Sequence, residues 1–171
     1  MMNYALFTDV SLNPELKTGL GAYLLIPHSM LDIPPEKIDK SAILNQITFK
    51  TFNDTSSTKL ELQTALWAIK EGMGKRSRAA LALYTDSQCI SGLMKRRDRL
   101  EINNYLSKRT GSLLKHALFY KTFYSLFDKF GFKIIKVTGH KPSKLHNSVH
   151  RIFSYVDKEV RRQLKSRLGK K

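Results

Sequence analysis

Short apolar runs bounded by turn-forming residues recur along the chain and predict five β-strands. A turn at Asn13 and Pro14 follows the first run, so the first two strands are expected to pair as a hairpin. Prolines 27, 34 and 35 then predict an exposed loop. The predicted strands cover residues 3–9, 19–26, 43–52, 79–85 and 132–137.

Apolar residues three or four positions apart predict helices between these strands. One helix opens at residues 56–58 and closes at Gly72 and Gly74, and a second covers residues 114–129. The last begins at Asn147 or Ser148 and ends in a frayed basic tail over residues 165–171. This order of elements predicts an α/β fold over residues 1–171: a single domain with a five-stranded mixed sheet flanked by helices.

Charge and cysteine content narrow the function classes. The 171 residues include 30 Lys and Arg against 14 Asp and Glu, a formal charge of +16, which favours nucleic acid as the partner. No apolar run is long enough to span a bilayer, and no secretory signal is recognisable, so no membrane partner is expected. Cys89 is the only cysteine, which excludes an intramolecular disulfide framework and fits a reducing cytoplasm. We expect a cytoplasmic monomer.

Two predicted strands end in the same way, with Asp9 after Phe7-Thr8 and Asp86 after Tyr84-Thr85. If these strands are parallel neighbours, both carboxylates lie at one end of the sheet, where α/β proteins usually form their sites. The alternative is that each aspartate only opens a turn. Glu61 is equally ambiguous: it completes a capping-box pattern with Thr58, or it joins the two aspartates.

Four segments together resemble the ribonuclease H family in order and spacing. They are Phe7-Thr8-Asp9, residues 55–62 with Glu61, Tyr84-Thr85-Asp86-Ser87-Gln88, and residues 137–142 with Gly139-His140. The resemblance runs from about Tyr4 to Leu164 and is to the cellular type-I branch, with a final helix similar to a bacterial subgroup. It implies a ribonuclease H-like fold and cleavage of the RNA strand of RNA–DNA hybrids with two divalent metal ions, Mg²⁺ or Mn²⁺.

The resemblance implies catalytic and metal-binding roles. Asp9, Glu61 and Asp86 become metal ligands, and His140 assists proton transfer or product departure. The family places its fourth ligand, an aspartate, ten residues after that histidine, and here the position is His150. His150 is therefore expected as the fourth ligand, with Asp157 as the alternative, or the metal site is weakened. Only one of the two can reach a metal pair, because seven residues of helix separate them by about 10 Å.

Substrate contacts are also implied. Ser56, Ser57 and Thr58 lie where the family contacts phosphates and sugars, and Ser87 and Gln88 lie where it contacts the minor groove. A basic stretch is expected to hold phosphates through Lys95, Arg96, Arg97 and Arg99, since these positions look exposed. A second basic run stays undecided between a phosphate surface and a solvated face: Arg161, Arg162, Lys165, Arg167, Lys170 and Lys171.

The expected function is sequence-independent, metal-dependent hydrolysis of RNA in RNA–DNA hybrids. One rival is a nucleic-acid-binding domain of this fold with little or no nuclease activity, motivated by His150 and the high positive charge. The other rival is a nuclease of this fold that acts on DNA or on junctions.

Overall fold

The computed structural model describes residues 2–74, 76, 79–138, 142, 144 and 146–169. The strands are β1 (Asn3–Asn13), β2 (Thr18–Pro27), β3 (Thr48–Phe52), β4 (Ala80–Thr85) and β5 (Lys133–Lys136). The α-helices are α1 (Lys40–Gln46), α2 (Ser57–Gly74), α3 (Gln88–Ser91), α4 (Leu93–Ile102), α5 (Ala117–Phe130) and α6 (Ser148–Leu168). Two short 3-10 helices, His28–Asp32 and Pro35–Lys37, lie between β2 and α1.

The five strands form one mixed sheet in the order β3-β2-β1-β4-β5. β1 pairs antiparallel with β2, in the hairpin that the sequence predicts, and β2 pairs antiparallel with β3. On its other side β1 is parallel to β4, and β4 is parallel to β5. The fold class predicted from the sequence is confirmed.

Helices cover both faces of the sheet because β1 alternates its side chains between two apolar cores. Leu6 is fully buried in the core that α2 and α5 close, while Phe7 is fully buried in the core that α6 closes. Phe7 stacks on Tyr84 of β4, with ring centroids 4.8 Å apart. Apolar cores on both faces of the sheet thus hold β1 and β4 in place next to Asp9 and Asp86.

Three sequence predictions need correction. The strand predicted over 43–52 begins only at Thr48, because Asp39 caps the helix α1 by accepting a hydrogen bond from the backbone N–H of Ala42 (3.3 Å). The strand predicted over 3–9 continues to Asn13, because β1 stays paired with β2 as far as Asn13 and Thr18. The predicted frayed tail is helical as far as Leu168, because Leu164 is buried against the sheet and holds the last turns in place.

Within the described ranges, no helix combines the length and the apolar character needed to cross a membrane.

Candidate active site

The Asp9 and Asp86 side chains leave neighbouring parallel strands at the same end of the sheet. The last paired residues of the two strands are Phe7 and Tyr84, and each aspartate follows two positions later. β4 ends at Thr85, whereas β1 continues along β2 to Asn13. The parallel arrangement on which the sequence argument depended is therefore confirmed.

Asp9 lies in an unfavourable environment for a carboxylate, with only 8 % of its surface exposed. Burial raises the pKa of Asp9 well above its usual value, and the side chain of Asp157 beside it raises the pKa further. The negative charges of Asp86 and Asp157 act in the same direction, opposed by the backbone N–H of Val10. Asp9 Oδ2 is also buried and has no hydrogen-bond partner among the described residues.

The structure brings Asp157, the alternative fourth acid, against Asp9. Asp157 lies in the middle of α6 and is 19 % exposed. Arg161, one turn further along the helix, forms an ion pair with it, with Nη2 and Oδ1 3.1 Å apart. Asp157 therefore places a second carboxyl group beside the buried Asp9.

His150 has a different place, in the first turn of α6. Its backbone N–H donates to Asn147 Oδ1 (2.9 Å), and the backbone N–H of Asn147 donates to His150 Nδ1 (3.5 Å). The two residues form a capping box, and the His150 ring stacks on that of His146. Asp157 is two turns further on, about 10 Å along the axis. The helix register differs from the one that makes His150 the residue beside Asp9.

Glu61 approaches the strand ends from the second turn of α2. Its Oε2 accepts a hydrogen bond of 2.5 Å from Ser87 Oγ. Burial raises the pKa of Glu61, the Ser87 hydrogen bond lowers it, and the charge of Asp86 raises it. The capping-box interpretation is wrong, because α2 begins at Ser57 and Glu61 bonds to Ser87 rather than to the helix start.

Ser87 and Gln88, the two predicted minor-groove contacts, differ in exposure. Gln88 is exposed at the first position of α3. Ser87 is 5 % exposed, and its hydroxyl caps α3 by accepting from the backbone N–H of Ile90 (3.2 Å). A groove contact through the Ser87 side chain does not fit this burial.

A polar pocket beside the start of α2 contains two of the three predicted phosphate contacts. Ser56 and Ser57 line it, and Thr58 follows them, half-buried. Three lysines from separate segments of the chain also line this pocket: Lys17, Lys59 and Lys115. Hydroxyl and ammonium donors together form a surface suited to a phosphate backbone.

The basic stretch on α4 contains two exposed side chains and two that are bonded to other parts of the protein. Lys95 and Arg99 are exposed as predicted. Arg96 is half-buried: its Nη2 donates to the carbonyl of Cys89 (3.2 Å), and its guanidinium lies over the Tyr120 ring. The prediction that all four cations are exposed is wrong.

Arg97 is the second engaged cation of this stretch. Its guanidinium donates two hydrogen bonds to the Asp128 carboxylate in a bidentate ion pair (2.6 Å each). It donates a third hydrogen bond to Glu101 (2.7 Å). Its guanidinium also lies over the Tyr124 ring. These partners raise the pKa of Arg97 above its ordinary value, Asp128 most strongly. Arg97 therefore ties α4 to α5.

His140, the predicted proton-transfer residue, lies outside the described residues.

The carboxylate oxygens of this site are of the type that binds a hard divalent cation, although they do not converge on one point. Among the residues that the structure describes, no three acidic, histidine or cysteine side chains converge closely enough to hold a metal ion. The oxygen donors nevertheless come from four carboxylates at one sheet end, and the buried Asp9 Oδ2 lacks a partner. Oxygen ligands and concentrated negative charge are what Mg²⁺ and Mn²⁺ prefer.

The family model of RNase H matches residues 1–161, so the chain belongs to the RNase H family. That family consists of ribonucleases, hydrolases of phosphodiester bonds, and this is the enzyme class of the protein. No curated protein sequence matches the chain significantly.

Solved structures of viral protease-reverse transcriptases are among those that share the fold. A foamy viral protease-reverse transcriptase in complex with dsDNA superposes with a TM-score of 0.58 at 11 % identity, over 91 % of this chain and 90 % of that one. A foamy viral protease-reverse transcriptase in complex with an RNA/DNA hybrid gives a TM-score of 0.57 at 10 % identity. That match covers 94 % of this chain but 19 % of the viral chain.

Proposed function

We propose that the protein is a metal-dependent endonuclease that hydrolyses the RNA strand of RNA–DNA hybrids without sequence preference. The observation that carries the proposal is the acidic centre just beyond the parallel pairing of β1 and β4, where Asp157 and the charge of Asp86 act on Asp9, in a chain of the RNase H family. The complex of the fold relative with an RNA/DNA hybrid supports the same substrate.

The cofactors that we propose are two divalent ions, Mg²⁺ or Mn²⁺, held by Asp9, Asp86, Glu61 and Asp157. When bound, such a metal pair supplies an activated water and stabilises the leaving oxygen. Ligation requires ionised carboxylates, so cation binding would favour the ionised form of Asp9, whose pKa is raised by burial and by the nearby Asp157 and Asp86. Arg161 offsets one negative charge beside them.

We assign the fourth acidic position to Asp157 rather than to His150. The contact between Asp157 and Asp9 supports this assignment, as does the engagement of His150 in the α6 cap. A carboxylate here keeps the donor set all-oxygen, which suits Mg²⁺ as well as Mn²⁺. His140 keeps its proposed role in proton transfer or product departure, which the family resemblance supports.

Recognition of the hybrid divides between backbone and groove contacts. The pocket of Ser56, Ser57 and the three lysines would hold phosphates, with Lys95 and Arg99 extending the cationic surface. Gln88 is exposed two positions after Asp86, where it can reach a minor groove that displays 2′-hydroxyl groups. We further propose that the protein is a cytoplasmic monomer of the bacterial type-I subgroup, which the single cysteine and the final helix support.

The test is cleavage of labelled RNA–DNA hybrid, double-stranded RNA and double-stranded DNA in Mg²⁺ and in Mn²⁺. The proposal expects hybrid cleavage only, with products that carry a 5′-phosphate. A second candidate is a nucleic-acid-binding domain with little nuclease activity, favoured by the lack of a converged three-ligand cluster in the described ranges. It expects hybrid binding without cleavage in either metal.

A further inference from the structure

The Ser87 hydroxyl has its hydrogen-bond directions fixed by its neighbours. Its oxygen accepts from the backbone N–H of Ile90 at 3.2 Å, and its single proton points to Glu61 Oε2 at 2.5 Å. A serine hydroxyl has one proton to donate, so the bond to Glu61 uses all of its donor capacity. At 5 % exposure, the Ser87 side chain is not available to a substrate.

The backbone that carries this hydroxyl is also fixed. The Ser87 N–H donates to Thr85 Oγ1 (3.1 Å), and the Ser87 carbonyl accepts from the Ser91 N–H (3.0 Å). Thr85 is itself 2 % exposed at the end of β4. Ser87 is therefore anchored to the turn that carries Asp86, and its hydroxyl reaches across to the helix that carries Glu61.

We propose that Ser87 is a positioning residue that fixes the Glu61 carboxylate relative to Asp86. It occupies Glu61 Oε2 and leaves Oε1 as the oxygen for a divalent cation. α2 and β4 are separate elements, so without this bond Glu61 would depend on its own rotamers for alignment. The inference rests on the proposed metal-dependent function and adds a role that differs from contact with the substrate.

The loss of such an orienting hydrogen bond typically lowers metal affinity by about 10- to 100-fold. Mn²⁺ binding to the full chain, measured by calorimetry without nucleic acid, should therefore weaken by that factor in Ser87→Ala and in Ser87→Gly. Ser87→Gly is the matched control for the cap, because glycine is nearly as good as serine at a helix N-cap while alanine is not. Ser87→Thr keeps the hydroxyl and should restore binding.

A double-mutant cycle separates the Glu61 bond from every other role of Ser87. In a Glu61→Gln background, Ser87→Ala should cause no further loss of Mn²⁺ affinity. Equal losses in the two backgrounds would overturn the proposal. So would wild-type Mn²⁺ affinity in both Ser87→Ala and Ser87→Gly, or the absence of measurable Mn²⁺ binding by the wild-type protein.

Affinity for hybrid in EDTA distinguishes positioning from substrate contact and should be unchanged in Ser87→Gly. A weakened hybrid affinity without a change in Mn²⁺ affinity would overturn the proposal in favour of a groove contact. The calorimetry does not depend on cleavage. If the wild-type protein fails to cut hybrid yet Ser87 controls Mn²⁺ affinity through Glu61, the proposed function fails and the positioning role stands.

Discussion

The carboxyl group of Asp157 acts on that of Asp9 and raises its pKa, although one residue lies in the last helix and the other near the start of the chain. This interaction joins β1 to α6 across an apolar core that both elements share. The pKa of Asp9 is raised first by its burial and then by Asp157 and Asp86, an effect that a bound divalent cation would oppose. The burial of Asp9 beside other acids therefore costs stability when Asp9 is ionised.

Asp157→Asn should lower Mg²⁺-dependent hybrid cleavage by at least about 10-fold, because it removes a proposed ligand. His150→Ala should leave the cleavage rate near that of the wild type and lower the free energy of unfolding by about 1 kcal/mol, because it removes half of the α6 capping box. Steady-state cleavage and thermal unfolding of both variants measure the two effects. A silent Asp157→Asn combined with an inactive His150→Ala would return the fourth position to His150.

Asp9→Asn should stabilise the metal-free protein at neutral pH. Because the pKa of Asp9 is higher in the folded than in the unfolded state, the wild type loses stability as pH rises through the unfolded value toward the folded one. The variant, which has no such group, should be more stable than the wild type by about 1 kcal/mol or more at pH 8, with a smaller gain at pH 4. Denaturant unfolding in EDTA at both pH values tests this. A gain that is equal at both pH values would contradict it.

The placing of Asp9 beside Asp86 could be predicted because their sequence contexts match and parallel strands bring matching positions together. The register of α6 could not be predicted in this way. His150 and Asp157 lie two turns apart on similar sides of one helix. The apolar pattern of α6 therefore allows either residue to face the site. The spacing in the resembled family favoured His150. Sequence spacing alone does not show how far α6 slides along the sheet.

The engagement of Arg97 was also invisible in the sequence, since its partner Asp128 is 31 positions away on another helix. A run of cations looks the same whether its members face solvent or a neighbouring helix. Ser87 shows the same limit. Its place in the Thr85-Asp86-Ser87-Gln88 segment indicates the site, but only its burial and the Glu61 bond show that it faces inward.

Arg97→Ala should lower the unfolding midpoint by about 2–4 °C, because it breaks the ion pairs to Asp128 and Glu101 and the stacking on Tyr124. Affinity for hybrid should fall less than in a variant that removes exposed cations. Differential scanning calorimetry gives the midpoint. Lys95→Ala, which changes an exposed cation of the same helix, is the control and should leave the midpoint unchanged.

The double variant Lys95→Ala, Arg99→Ala should weaken hybrid binding equally for all sequences. If both side chains contact phosphates, the slope of log affinity against log salt concentration should become shallower by about 2. Anisotropy titrations over a range of KCl concentrations measure the slope. An unchanged slope would show that this part of α4 is only a solvated surface.

The central claim is that the acidic centre just beyond the parallel pairing of β1 and β4 cuts RNA in hybrids. It is tested most directly by comparing wild-type protein and Asp86→Asn on end-labelled RNA–DNA hybrid, double-stranded RNA and double-stranded DNA in Mg²⁺ and Mn²⁺. The account predicts cleavage of the RNA strand of the hybrid alone, lost by orders of magnitude in Asp86→Asn while hybrid affinity is kept or improved. Near-wild-type cleavage by Asp86→Asn, or cleavage of DNA that contains no ribose, would contradict it.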